Sequence, residues 1–329
     1  MIIKNIIYTL LTLTALTACS SGTSSSASSA TNHADNPGDY AKVSFSADSA
    51  MAYLTLQTQA GPRVPGTQPH KLTAERLEQH MRHYAPDTVI AQKTTMAMPP
   101  DGHPAPITNI FAQWNASNPA RILLLAHWDT RPWADQDPDP ANHDKPIDGA
   151  NDGASGVAVL MEIARLLSTR APGIGVDILL VDAEDSGTAD DDNSWCLGTQ
   201  HFVKNLPYAN GVKPRYAILL DMVGGRDAQF HREYFSDYYA PDIVDHVWAV
   251  ARKSGFSQRF PNTPGNAITD DHRILNQAGI PAIDIIESKN PQTGSFNPTW
   301  HTLSDTAENI DPETIRIVGQ TIANLIYNE

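Results

Sequence analysis

Three apolar runs in this chain each end on residues able to hold a metal ion. Leu123-Leu124-Leu125-Ala126 leads into His127-Trp128-Asp129, residues 176–181 lead into Asp182-Ala183-Glu184-Asp185, and Ala217-Ile218-Leu219-Leu220 leads into Asp221. Short continuous apolar runs predict strands covered on both faces, the pattern of parallel strands. In open α/β sheets ligands bind beyond the carboxyl ends of such strands. Asp152 and His301 extend this to a His/Asp/Glu set at one rim. The expectation is a zinc site with a neighbouring carboxylate for proton transfer.

With 329 residues, 41% of them hydrophobic, the chain can bury one sizeable α/β core, and nothing demands a second domain. A net charge of -14 argues against nucleic-acid partners and against adhesion to anionic lipid through basic patches. Lys4 precedes an apolar stretch over residues 6–18 that is too short to span a bilayer comfortably and fits a secretory signal. Leu16-Thr17-Ala18-Cys19 resembles the bacterial lipoprotein processing box, which implies cleavage before Cys19 and its acylation; the alternative is an ordinary signal peptide with a chance cysteine. The organisation expected is a lipoprotein signal peptide over 1–18, a lipidated Cys19 with a flexible Ser/Ala/Thr-rich tether over 19–42, and one catalytic α/β domain over 43–329. By analogy with lipoproteins that carry this box, Ser20 suits sorting to the outer membrane, so a location on its periplasmic face, touching the membrane only through lipid, is expected; the chain is also expected to be a monomer. Lipidation leaves Cys196 without an intrachain partner, and its expected state is a buried thiol acting as a small apolar side chain.

The folded part is expected to open with a helix after Ser46 and a second over 73–84. Strands over 88–96 and 107–114, with a Pro/Gly-rich turn over 99–106, predict an antiparallel hairpin at the start of the sheet. A long Asp/Pro-rich loop over 130–150 follows the strand at 121–126. Residues 153–168 give the clearest helix, because Val157, Leu160, Met161, Ala164 and Leu167 share one face. Strands at 176–181, 216–221 and 282–286 then alternate with helices at 197–205, 240–253 and 312–328. That alternation predicts a three-layer α/β sandwich with a mixed, mostly parallel central sheet.

Alone, Asp152 is expected to cap the helix that follows it. The small residues Gly149-Ala150-Asn151 and Gly153-Ala154-Ser155-Gly156 around it favour ligation instead, since they let a loop close tightly on an ion that one Asp can bridge to a second. Glu184 and Asp185 read either as a solvated acidic turn or as a pair that splits its roles, one binding the ion and one accepting protons. Asp190-Asp191-Asp192 reads as a solvated turn.

The segments 126–131, 149–156, 182–185, 220–224, 270–272 and 300–302 come in the order seen in the zinc aminopeptidases of family M28, and more closely resemble its offshoot, the animal-type glutaminyl-peptide cyclotransferases. The resemblance implies a zinc-exopeptidase-like fold. A two-zinc aminopeptidase would use His127, Asp152 and Asp221 on one ion and Asp152, Asp185 and His301 on the other, with Glu184 as base. The cyclase branch is favoured by Asp270-Asp271-His272, where peptidases commonly carry Ser-Asp-His, and by Trp300 before His301. There the acid matching Asp270 hydrogen-bonds the carboxylate matching Asp221, and acids so close share protons and make a poor cage for a second cation.

This reading implies one Zn²⁺ per chain on Asp152, Asp185 and His301, and Glu184 as base and then acid. Asp221 and Asp270 orient the amine. Trp300 and Trp195 line the substrate pocket, with Trp128 and Trp133 as further wall candidates. His127 is a supporting residue or, in the alternative, a ligand, and Asp129 orients it. The substrates implied are peptides or proteins with N-terminal glutamine, converted to pyroglutamate with release of ammonia. One departure is Glu184-Asp185 where both branches commonly show Glu-Glu, which shortens a ligand that must reach a Zn–O distance of about 2.0–2.2 Å. A tethered binding protein without turnover is the third possibility, against which the intact Glu184 argues.

Overall fold

The computed structural model describes residues 43–208 and 211–329, so the expected signal peptide and lipidated tether lie outside the described residues. Its elements are α1 (Ala47–Thr58), α2 (Gln68–Tyr84), β1 (Thr88–Met98), β2 (His103–Trp114), β3 (Arg121–His127), α3 (Ala154–Thr169), β4 (Gly175–Val181), α4 (Leu197–Lys204), β5 (Ala217–Leu220), α5 (Tyr234–Tyr239), α6 (Pro241–Lys253), α7 (Asp271–Gln277), β6 (Ala282–Ile285) and α8 (Pro312–Asn328). The sheet runs β1-β2-β4-β3-β5-β6. Strands β4, β3, β5 and β6 are parallel, and the β1-β2 hairpin joins them antiparallel through β2 and β4.

Every residue of β3, β4 and β5 is buried, which is why their sequences are continuous apolar runs and not alternating ones. Alternation reappears as a choice of layer. Ile122, Leu124 and Ala126 join the core formed with α1, α2, α3, α6 and α8, while Leu123 and Leu125 face α4 and α7. Burying each of the leucine and isoleucine side chains contributes roughly 1.5–3 kcal/mol. The polar interruption of β4, Asp177, is taken up by Arg121 of the neighbouring strand in a bidentate pair at 2.6 and 2.7 Å.

The three-layer sandwich expected from the sequence is the one observed, with α3 and α8 within a residue of their expected bounds. Helix α2 begins at Gln68 and not at 73, because Thr67 caps it and Pro69 suits its first turn, leaving Thr73 buried inside. The hairpin turn is shorter than expected, since β2 already begins at His103. Helices α5 and α7 have no counterpart in the sequence reading; they are six and seven residues long, too short to show a periodic apolar face.

Candidate metal centre

Parallel register delivers the polar residues to one level. His127, the last residue of β3, pairs with Val181, the last of β4, so Asp182 to Asp185 emerge beside it. Asp221 follows β5 at the same rim. Four non-glycine residues in and beside it hold left-handed backbone: Ala183 (φ 53°), Cys196 (φ 56°), Met222 (φ 48°) and His301 (φ 53°). Such conformations cost on the order of 1–2 kcal/mol each and persist only where surroundings impose them. Around Ala183 the imposing group is the buried Asp182 carboxylate, which accepts from the Ala183 amide at 2.8 Å and lies 2.9 Å from His70 Nε2 through both oxygens. Gly153 (φ 93°) opens the turn behind Asp152, where a Cβ would come within 2.9 Å of the His127 ring.

Two ligand sets share Asp152. The donor atoms of Asp152, Asp185 and His301 lie within 4.8 Å of one another, as do those of His127, Asp152 and Asp221, and all are buried. His301 Nε2 is 3.2 Å from Asp185 Oδ1 and 3.5 Å from Asp152 Oδ2. His127 Nε2 is 3.0 Å from Asp152 Oδ1 and 3.2 Å from Asp221 Oδ1. Asp185 Oδ2 is buried with no hydrogen-bond partner. A buried orphan oxygen within a set of two carboxylates and an imidazole is the chemistry a zinc ion satisfies, so the residues fit the metal.

Proton affinities report the same demand for positive charge. Burial opposes protonation of His301, yet the carboxylates of Asp185, Asp135 and Asp152 raise it to about 9. His127 is likewise lifted well above 6.5 against its burial by Asp129, Asp152 and Asp221. Burial and the Asp152 charge push Asp185 up to about 6. Glu184 is raised well above its ordinary value by burial and then by Asp270, and Asp270 by burial and then by Asp221. Asp284 stands within 4.8 Å of Asp270 through their carboxylate oxygens and is itself raised by burial and then by the charges of Asp270 and Asp221, so the acid network extends beyond the Asp221–Asp270 pair that the resemblance implied.

Asp152, Glu184, Asp185, Asp221, Asp270 and His301 line a cavity of about 450 Å³. Its apolar wall is the cluster of Met222, Ile268 and Ile286 with Phe296 and Trp300 against it, and the Trp300 ring stacks on His301 at 3.8 Å. Trp195 lines the opposite side under Arg131, whose guanidinium carbon is 4.9 Å from the ring. Two tryptophan expectations are corrected. Trp128 is fully buried, stacked on His70 and donating to Thr108, and Trp133 packs under Arg131; neither lines the cavity.

Asp152 does not cap α3, since Gly153 occupies that position without a side-chain cap bond. Asp129 does more than expected: it accepts the backbone N–H groups of Glu184 and Asp185 at 3.0 and 3.1 Å, with His127 Nδ1 farther off at 3.4 Å. Sequence reasoning missed Asp305, which accepts the amides of Asn151 and Asp152 at 2.7 and 3.0 Å, and Asp135, which lies 3.2 Å from His301 Nδ1. The one available signal was the spacing of Asp135 four residues after Arg131, which it pairs. Cys196 is buried as expected, with its thiol donating to Glu184 Oε1 at 3.5 Å.

A mixed sheet between helical layers, with a buried carboxylate-imidazole centre at the carboxyl ends of its parallel strands, defines the zinc-exopeptidase-like class of α/β enzymes. Within that class the chain belongs to peptidase family M28, whose pattern matches residues 109–326. It is 44% identical to glutaminyl cyclase from Bacteroides thetaiotaomicron, solved bound to N-acetylhistamine, over 87% of this chain and 99% of that one with a TM-score of 0.84. It is 43% identical to a leucine aminopeptidase precursor of the same organism, over 88% of this chain and all of that one (100%), with a TM-score of 0.83. Among curated relatives it is 23% identical to glutaminyl-peptide cyclotransferase of Bos taurus over 77% of this chain and 74% of that protein. It is 26% identical to aminopeptidase YwaD of Bacillus subtilis over 65% of this chain but only 42% of that protein, so the chain spans less than half of YwaD's length.

Proposed function

We infer that the chain is a zinc-dependent glutaminyl-peptide cyclotransferase that turns N-terminal glutamine into pyroglutamate and ammonia. The observation that carries this reading is the second ligand set. There His127 Nε2 lies 3.0 Å from Asp152 and 3.2 Å from Asp221, and Asp221 has further acids behind it, Asp270 and Asp284, whose proton affinity its charge raises. Asp221, Asp270 and Asp284, all shifted toward protonation by burial, make that place a poor anionic cage. This supports one zinc per chain, on Asp152, Asp185 and His301.

Asp152, Asp185 and His301 would hold the zinc, which would supply Lewis-acid polarisation of the glutamine side-chain carbonyl. The cavity holds the glutamine bent, with Trp300 against its stem, so that its α-amine approaches the Cδ carbon. Glu184 takes a proton from the attacking amine and returns one to the departing nitrogen, which leaves as ammonia when the Cδ–N bond breaks. A carboxyl lifted by burial and by Asp270 suits a group that must hold that proton between the two transfers. Asp221 and Asp270 orient the amine.

A second reading, the two-zinc aminopeptidase, is favoured by one observation: Asp152 is placed to bridge both ligand sets. Metal analysis of the purified protein beside two assays separates them. The expected result is one zinc per chain, ammonia from a glutamine-leading peptide and no release from a leucine anilide. Two zinc ions with anilide cleavage would overturn the cyclase; bound zinc without turnover of either would leave a binding protein.

We also propose that the enzyme is a monomer tethered to the bacterial cell envelope through lipid on Cys19, at the periplasmic face of the outer membrane. The motif Leu16-Thr17-Ala18-Cys19-Ser20 supports this. Cys19→Ser is expected to move the protein from the membrane fraction to the soluble periplasmic fraction, and an unchanged distribution would refute the anchor.

A further inference from the structure

Large apolar side chains exposed among the described residues are Leu72 and three tyrosines of one six-residue helix: Tyr234, Tyr238 and Tyr239 of α5, at 55%, 68% and 43% exposure. Scattered exposed apolar residues need no explanation, but contiguous ones do. These are contiguous, with ring centroids 6.5 Å apart for Tyr234 and Tyr238 and 4.9 Å for Tyr238 and Tyr239.

The patch is tied to the rim of the active-site cavity by three separate contacts. Buried Glu233 accepts the amides of Phe235 and Ser236 at the start of α5 and, at 3.0 Å, the amide of Ile268, whose side chain lines the cavity. The Tyr234 amide donates at 3.1 Å to the carbonyl of Asn266, a second lining residue. Arg273 lies 4.7 Å over the Phe235 ring and 3.7 Å from the carboxylate of Asp192, a third. The first turn of the helix is thus fixed to three residues that line the cavity, while the rings of Tyr234, Tyr238 and Tyr239 are exposed beside them.

We propose that this tyrosine apron holds the substrate chain beyond the reacting glutamine, selecting peptides with aromatic or large aliphatic side chains at the next few positions. The proposal rests on the cyclotransferase reading, in which the glutamine is buried and the rest of the peptide must leave through the mouth. Each peptide residue advances at most about 3.3–3.6 Å, so the positions directly after glutamine must run over whatever lies at the rim. Tyrosine rings suit this task, giving wide contact at little ordering cost. The area argues against a second copy as occupant. From about 150–250 Å² per aromatic side chain, the exposed rings offer on the order of 300–400 Å², below the roughly 800 Å² per partner of a stable interface.

The test compares kcat/KM for Gln-Phe-Phe-amide and Gln-Ser-Ser-amide, with glutamine amide as the unextended substrate. Wild-type protein is expected to favour the aromatic peptide about tenfold, equivalent to about 1.4 kcal/mol. In the double variant Tyr234→Ser/Tyr238→Ser that ratio is expected to fall to about one, whereas in Leu72→Ser, distant on α2, it stays tenfold. A wild-type ratio near one, or a preference that survives the double variant, while glutamine amide is still turned over, would overturn the apron and leave the cyclase intact. Failure to turn over glutamine amide and both peptides would overturn the cyclase and the apron together. A concentration-dependent dimer in sedimentation that the double variant abolishes would assign the surface to a second copy instead.

Discussion

Replacing Glu184 by Gln is expected to lower kcat for glutamine cyclisation about a thousandfold while zinc content stays at the wild-type level. The side chain keeps its volume and the hydrogen bond from Cys196, whose thiol is 3.5 Å from Oε1, so the buried site has no packing reason to collapse. What the amide cannot do is accept and return a proton, and positioned acid-base groups of this kind contribute roughly 10²–10⁴ in rate. Glu184 shares its candidate ligand group with Cys196 and Asp270 and not with Asp185 or His301, which separates proton transfer from metal holding. Steady-state kinetics with zinc quantified on the same sample check both halves. A loss under tenfold would remove Glu184 as the proton carrier, and a loss of zinc would make it a ligand.

How far the site could be read from sequence follows from what each residue does. The strands delivering His127, Glu184 and Asp221 were legible because burial on both faces forces long apolar runs, and a polar residue ending such a run stands out. Asp152 was legible only as part of a small-residue segment, whose need is now visible in the contact a Gly153 Cβ would make with His127. The bracing groups left no such mark. His70 and Asp182 are 112 residues apart, and Asp305 is 153 residues from the Asp152 amide it accepts, so no local period couples them. Carboxylates commonly orient metal-side imidazoles, which pairs Asp129 with His127, whereas its better-placed contacts are two backbone amides, a demand created by the turn at Ala183 that only the fold reveals. The aromatic face of α5 leaves no sequence mark for a related reason: a six-residue helix capped by Glu233 carries neither the length nor the usual cap of a recognisable element.

Asp185→Asn is expected to have opposite effects on the metal-free and zinc-loaded protein. In the metal-free fold, burial and then the Asp152 charge raise the Asp185 carboxyl from 3.8 to about 6, which means its charged form is less welcome in the folded state than in the unfolded one. For a raised carboxylate the linkage runs downward with pH. Its cost is absent below about pH 4, grows as pH rises toward 6, and is fully present above that. At about 1.4 kcal/mol per pKa unit it comes to roughly 3 kcal/mol at pH 8. Asn carries no charge to desolvate, so chelator-treated Asp185→Asn is expected to melt several degrees above chelator-treated wild type at pH 8, with the difference vanishing near pH 4. Zinc reverses the order. An ion held by Asp152, Asp185 and His301 turns the repelled charge into a ligand, so in the presence of zinc the wild type gains stability that the variant cannot match, and the variant's turnover falls to background. Melting curves of both proteins with chelator and with zinc, at pH 4 and pH 8, check this crossing. A variant less stable than wild type in chelator at pH 8, or one that still binds zinc as tightly, would show that Asp185 does not hold the metal and that its charge is balanced by the protein alone.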